Sequence, residues 1–268
     1  MIYTLQHYRV DATLETEGYT HQLFFYYPKV GGIQALITSL EEKVNKNIVT
    51  NFEVRKIEKE DGKWLISNGK EEKVYDKIIS TIPIHYLIGA LNAPEEIKDA
   101  ANNLKFNSLM TVMIGLDVTK LNDFTWLYIQ NKDVLTHRVS FPSNYSPYVA
   151  PEGKSSVLAE ITCNIGDEMW RKKDDEIAGQ VIDDLHQLKI IDKTKVCFTE
   201  VKKMKYAYVI NDLDYHENIR IVKDYMSEMG IDIVGRFSEF KYLNMDGCVR
   251  SAMEYVVKNE SQNPQSSS

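Results

Sequence analysis

Val234-Gly235-Arg236-Phe237-Ser238-Glu239-Phe240-Lys241-Tyr242-Leu243-Asn244-Met245-Asp246-Gly247 is the stretch whose reading decides the fold. The run from Ile231 to Val234 ends on a glycine, as expected of a strand buried in a parallel sheet. Gly235 lets the backbone turn, and the planar fork of Arg236 suits an oxyanion. A helix then starts near Asn244 or Asp246, where free N–H groups and a partial positive charge add donors. The plain alternative is a surface cation at Arg236 and a simple helix cap at Asn244 or Asp246.

Two further stretches have the same character. Tyr27-Pro28-Lys29-Val30-Gly31-Gly32 runs from a strand into a helix, and paired glycines allow a tight turn and close approach to a ligand. Asp76-Lys77-Ile78-Ile79-Ser80-Thr81-Ile82-Pro83 is an apolar strand ending in hydroxyl residues and a proline, the end at which open α/β sheets bind ligands. Each also reads as an ordinary strand end followed by a turn.

Around these stretches the periodicity predicts four long helices, over Ile33–Val44, Asp174–Leu188, Ile219–Met229 and Met245–Val256. Gly230 is placed to cap the third. Shorter helices are expected near residues 85–91 and 94–103. Short strands are expected at 24–27, 48–50, 52–58, 64–67 and 78–81, with Asp61-Gly62 as a hairpin turn. Others are expected at 109–116, 126–129, 137–141, 156–161, 195–203 and 231–234. Strands and helices alternate at both ends, with a strand-rich block between them. The fold class is therefore α/β with an α+β insertion.

Composition excludes several classes. Of 268 residues, 43% are hydrophobic and 26% charged, so the chain can build a packed core. The net charge of −7 argues against a nucleic-acid binder. No apolar run reaches the ~18 residues of a membrane span. Gln6, His7 and Arg9 interrupt any leader-like segment, and three scattered cysteines suggest reduced thiols, so a cytoplasmic location is expected. The six histidines are not spaced as metal pairs and there is no Cys-x-x-Cys, so no metal site is expected. Hydrolase elbows and Gly-x-x-x-x-Gly-Lys loops are absent. The charge block 171–176 reads as a solvated face, and the polar end, 260–268, as a disordered tail.

Taken together, these stretches resemble the FAD-dependent amine oxidase superfamily, which includes protoporphyrinogen-oxidase-like proteins and UDP-galactopyranose mutases. Phe25 to Ile33 looks like the segment that opens a helix beneath the flavin. Asn51 to Ile57 looks like the strand whose valine meets the adenine, and Tyr75 to Pro83 like the strand end beside the cofactor. Gly230 to Glu254 looks like the C-terminal flavin-contacting strand and helix. The form Gly-Arg-Phe…Lys-Tyr-Leu-Asn-Met-Asp, with 207–213 and 216–219, is nearest to the mutase branch. One departure is large. Members of the superfamily begin with a strand, a Gly-x-Gly-x-x-Gly turn and a helix that hold the FAD pyrophosphate, and no such unit occurs here. The sequence therefore looks like the C-terminal portion of a longer or split enzyme. Alone, it is expected to bind FAD weakly or not at all.

The resemblance implies a partial FAD-binding Rossmann-like layer, residues 24–92 and 216–259, plus a mixed-sheet substrate domain, residues 1–23 and 93–215. It implies Gly31, Gly32, Val54, Thr81, Pro83, Gly235, Arg236, Asn244, Met245, Asp246 and Gly247 as cofactor-binding residues. Tyr242 and Arg138 are candidates for substrate contact, with Arg138 and Tyr128 alternatively a strand-surface pair. No general base stands out, which the resemblance tolerates, because in that family the flavin carries the redox chemistry and the protein orients it. The implied reaction is hydride transfer from a small-molecule substrate to flavin N5. The alternatives are mutase-like chemistry on a nucleotide sugar, or a non-catalytic remnant paired with a separately encoded N-terminal half.

Overall fold

The computed structural model describes residues 2–6 and 24–262. The chain divides into two compact units, one of residues 1–48 and 108–205, the other of residues 49–107 and 206–268.

The first unit is built on a five-stranded sheet. Its strands are β7 (Phe106–Leu116), β8 (Trp126–Tyr128), β9 (Arg138–Ser140), β10 (Ser155–Cys163) and β11 (Val196–Val209), in the order β11-β7-β10-β9-β8. β10 pairs antiparallel with β7, opposing Val157 to Ile114 and Ala159 to Val112. Residues two apart share a sheet face, and the helix α5 (Asp174–Gln187) covers that face with Ile177, Val181 and Leu185 at its own four-residue spacing. The three acidic residues in the first turn of α5 suit the helix dipole. A short helix α4 (Glu168–Arg171) precedes it. The unit also holds β1 (Ile2–Gln6), paired antiparallel with β2 (Phe24–Pro28), and the helix α1 (Gln34–Val44).

The second unit contains the hairpin β3 (Lys56–Glu60) and β4 (Lys63–Ser67), extended by β5 (Glu72–Tyr75). The Asp61-Gly62 turn has φ of 48° and 79°, the positive pair that a type I′ hairpin demands. β6 (Ile78–Ser80) pairs in parallel with β12 (Ile231–Ile233). Four helices complete the unit: α2 (Ile84–Ala90), α3 (Glu95–Asn103), α6 (Tyr215–Met229) and α7 (Met245–Gln262). Ile84, Leu87, Leu104, Val222 and Met226 fill its core with Trp64 and Phe240. Gly230 closes α6 in the left-handed conformation, φ 76°, donating back to Met226 and Ser227.

Several expectations are corrected. Residues 48–50 form no strand, and Ile48 and Val49 stay exposed. The strand expected from Phe52 begins only at Lys56. Arg55 makes one ladder bond to Ser67, 2.8 Å, and residues 52–55, Val54 among them, remain irregular. β5 was not expected, since Glu72 and Lys73 mask its alternation, and β11 runs beyond the expected Lys203 to Val209. The polar tail starts later than its composition suggests. α7 continues through Gln262, with the Asn259 and Ser261 side chains donating to carbonyls four residues back. The expectations for residues 7–23 and 263–268 lie outside the described residues.

The boundary between units also runs differently from the expected one. Residues 24–48 group with the central block rather than with residues 49–92. The cause is aromatic packing and a backbone tie. Phe25 meets Trp126 and Tyr145, Tyr27 meets Tyr145, and the Ser146 hydroxyl donates to the Lys29 carbonyl.

Candidate functional site

β6 and β12 run in parallel, so their carboxyl ends lie side by side. Beyond β12, the Val234 N–H donates to the Ser80 carbonyl at 3.0 Å, and the Ile84 N–H donates to the Phe237 carbonyl at 3.1 Å. These two bonds stitch Thr81–Pro83 to Gly235–Phe237. Pro83 serves as the cap residue of α2, its carbonyl accepting from Tyr86 and Leu87. Thr81 stands exposed beside it.

Gly235 has φ 85°, a conformation open to glycine and costly to a residue with a Cβ. Its N–H donates to a carboxylate oxygen of Glu239 at 2.9 Å and lies 3.2 Å from the Ser251 hydroxyl. Ser251 in turn donates to Glu239, and Lys241 pairs with the same carboxylate at 3.0 Å. Burial opposes ionisation of Glu239, but the Ser251, Lys241 and Gly235 donors outweigh it and hold the carboxyl below its usual range. The turn is thus a place where a backbone amide already binds an anionic oxygen.

Arg236 is engaged inward. Its terminal nitrogens donate to the carbonyls of Leu243, at 2.8 Å, and Ala207. Its guanidinium lies 4.7 Å from the Tyr242 ring centre and 5.3 Å from that of Tyr208, the two rings being stacked. The arginine therefore braces the 237–244 loop against β11, and only its buried Nε lacks a protein partner. Tyr242, half exposed, covers the guanidinium. The Asn244 carbonyl accepts the Cys248 N–H at 2.9 Å, which makes Asn244 the cap of α7. The first-turn amides of Met245, Asp246 and Gly247 have no intrahelical acceptor by helix geometry.

The structure thus brings Thr81, Pro83, Gly235, Arg236, Tyr242, Asn244, Met245, Asp246 and Gly247 into one unit, together with Val54. Gly31 and Gly32 belong to the other unit, where φ of 84° and 61° turns β2 into α1. Arg138 also lies there. Its fork closes on Glu160 at 2.8 and 2.6 Å, an internal ion pair whose carboxylate is almost fully buried. Sequence reasoning missed Glu239, Ser251 and Ser238; the Ser238 hydroxyl, like that of Ser80 at the strand end already noted, is buried without a protein partner. Single hydroxyls and carboxylates carry no periodic signal, so only the fold could reveal them. Among the described residues no cluster of acidic, histidine or cysteine side chains could hold a metal ion, and no helix is long and apolar enough to cross a membrane.

A family described as flavin containing amine oxidoreductases matches residues 4–218. The chain belongs to that family. Its fold is similar to that of a reduced UDP-galactopyranose mutase, with a TM-score of 0.77 at 20% identity, covering 88% of this chain and 53% of that one. It is also similar to a protein from Exiguobacterium sp. 255-15 assigned as a protoporphyrinogen oxidase, with a TM-score of 0.73 at 17% identity, covering 91% and 53%. A putrescine oxidase crystallised with putrescine gives a TM-score of 0.64 at 12% identity, covering 89% and 54%. The chain thus spans about half the length of the structures it matches. The mixed α/β architecture with several sheets is the one this family uses.

Proposed function

We propose that this chain supplies part of the FAD site of an amine-oxidase-type oxidoreductase, with β6, β12 and α6 forming part of a Rossmann-like layer. One observation carries the reading. Two parallel strands deliver Thr81–Pro83 and Gly235–Arg236 to the same end, where the Gly235 amide holds a carboxylate oxygen at 2.9 Å. An amide that accommodates one anionic oxygen accommodates another, so a phosphate oxygen of FAD fits there in exchange for Glu239. The unpartnered hydroxyls of Ser80 and Ser238 suit the polar edge of a bound group.

Within this reading the Gly235 amide and the first-turn amides of Met245, Asp246 and Gly247 hold the pyrophosphate, the ribityl chain and the flavin carbonyl edge. The backbone of Val54 neighbours the adenine, and Thr81 and Pro83 border the cofactor. Tyr242 and Asn244 line the flavin face. Arg236 is a positioning residue that fixes the loop carrying them. Gly31 and Gly32 shape the turn from β2 into α1 within their own unit. Arg138 braces its own sheet through Glu160 rather than holding substrate. Held there, FAD would supply a hydride acceptor for a substrate C–H next to nitrogen, and the residues named above would orient it and stabilise its reduced form.

The test is reconstitution. The chain is purified alone and after co-expression with a polypeptide that carries a strand, a glycine-rich turn and a helix. Visible flavin absorbance in the co-expressed protein, lowered by Gly235→Ala, supports the reading, and oxygen consumption with amines selects the oxidase form. Turnover of a UDP-hexose by the reduced protein selects the mutase form instead. A colourless protein in both preparations leaves the chain a non-catalytic remnant and ends the proposal.

A further inference from the structure

The loops that leave β7 and enter β10 surround a cavity of about 590 Å³. It lies wholly within the first unit, between residues 119–125 and 143–154, at the sheet end where Leu116 pairs with Ser155. Glu160, the partner of Arg138, stands five residues further along β10, about 17 Å away at the rise of a strand. No residue assigned to the flavin site lines this cavity. Its volume falls within the range of about 300–1,000 Å³ usual for small-molecule sites.

The walls are held in place by bonds within the unit. The Asn144 side-chain amide donates to the carbonyls of Asn122, at 3.0 Å, and Phe124, at 2.7 Å. The Ser146 hydroxyl donates to the Lys29 carbonyl and accepts the Tyr148 N–H at 3.2 Å. A pocket whose walls are fixed in this way loses little freedom when a ligand enters.

The charges of the lining balance. Lys120 is closed on Asp123, and Lys154 on Asp117 at 3.0 Å. Glu152, exposed at the edge, makes no ion pair among the described residues. An anionic ligand therefore meets two neutralised lysines and one free carboxylate. Hydrogen-bonding capacity remains open. Asn144 has committed its N–H groups and keeps its side-chain oxygen as an acceptor. Ser143 accepts the Ser156 N–H at 3.2 Å and keeps its own proton to donate. The hydroxyls of Ser155 and Ser156, next along the chain from Lys154, are buried without a protein partner. Between the polar groups lie Pro147, Ala150 and Pro151. The exposed rings of Phe124 and Tyr148 flank the same loops.

We propose that this cavity binds an uncharged, polyhydroxylated ligand, a monosaccharide or a short glycan, at a site separate from the flavin-linked one. A sugar ring presents alternating hydroxyl edges and C–H faces, which match interleaved hydroxyl, amide and carboxylate groups with proline and aromatic surface. A fully apolar ligand fits less well, because it strips water from the Thr119, Ser143 and Asn144 polar groups and returns no hydrogen bond.

The experiment is a titration of the isotope-labelled full chain, followed by the shifts of its backbone amides. The probes are D-glucose, maltose and myo-inositol, with inorganic phosphate as the charged comparison. The expected result is a saturable change, in the millimolar range, confined to amides of residues 119–125 and 143–156 and produced by at least one of the three neutral probes. Thr119→Val combined with Glu152→Ala should weaken that binding about tenfold or more, since each removes a hydrogen-bonding group from the lining. Both positions are exposed, so the variant should keep the native spectrum outside these loops. Saturation by phosphate alone, shifts scattered over the surface, no saturable change with any neutral probe, or undiminished binding by the double variant each overturn the proposal. None of these readouts depends on flavin.

Discussion

Arg236 and Arg138 show how an arginine's role depends on which acceptors the fold sets around it. Both are plausible oxyanion ligands by residue type, and both have guanidinium nitrogens engaged by the protein, Nη1 and Nη2 in Arg236 and Nε and Nη2 in Arg138. Removing Arg138 strands a nearly buried carboxylate, Glu160. Arg138→Ala should therefore cost about 3–5 kcal/mol of stability, read as a lowered urea midpoint. Pairing it with Glu160→Ala should recover much of that loss, and a midpoint that fails to recover would refute the ion-pair account. Arg236→Ala leaves the Ala207 and Leu243 carbonyls without their donor, at about 1.5–3 kcal/mol for a charged hydrogen bond. Arg236→Lys should rescue little, because an ammonium cannot span two carbonyls from one plane while also lying against the Tyr208 and Tyr242 rings. Equal stability of the lysine variant and the native protein would remove the bracing role.

At the scale of elements, α7 is held by ionised groups, so its attachment depends on pH. Burial works against the charge on Asp232, yet the hydrogen bonds from Lys77 and Tyr255 prevail and hold its carboxyl low. Glu239 is held low in the same manner. Carboxyls with depressed values stabilise fully above the ordinary carboxylate range, and that contribution vanishes as pH falls through the depressed values. Lys77 is raised by its hydrogen bonds to Asp232 and Tyr255, so its share is complete below the ordinary lysine range and is lost as pH rises through the raised value. Protection of α7 amides, corrected for the intrinsic exchange rate, should fall at both extremes, with Asp232→Asn removing the Asp232 share of the acid limb and leaving that of Glu239. Unchanged acid behaviour in that variant would show that other contacts hold the helix. The helices themselves were legible in sequence, since period and caps are local properties. Which face of α7 meets the unit was not, because its polar stripe packs inward.

Across the whole molecule, two separate cores carry the stability. Leu87 is fully buried in one and Leu185 in the other. Leu87→Ala should cost about 2–5 kcal/mol and lower exchange protection in α2, α6 and β6. Leu185→Ala should do the same for α5, β7 and β10, and a loss confined to neither set would contradict the division into two units. By itself the sequence determined the long helices, most of the strands, the parallel strand before Gly235, the Asp61-Gly62 hairpin and membership of a flavin-linked family. Each of these rests on spacing or on short ordered motifs that neighbouring residues alone establish. The tertiary structure decided that residues 24–48 group with the central sheet, that Glu239 and Ser251 close around the Gly235 amide, and that two candidate arginines brace the fold. Those outcomes depend on pairings between residues far apart in the chain, such as Tyr27 with Tyr145 and Arg236 with Ala207, whose geometry no local pattern encodes.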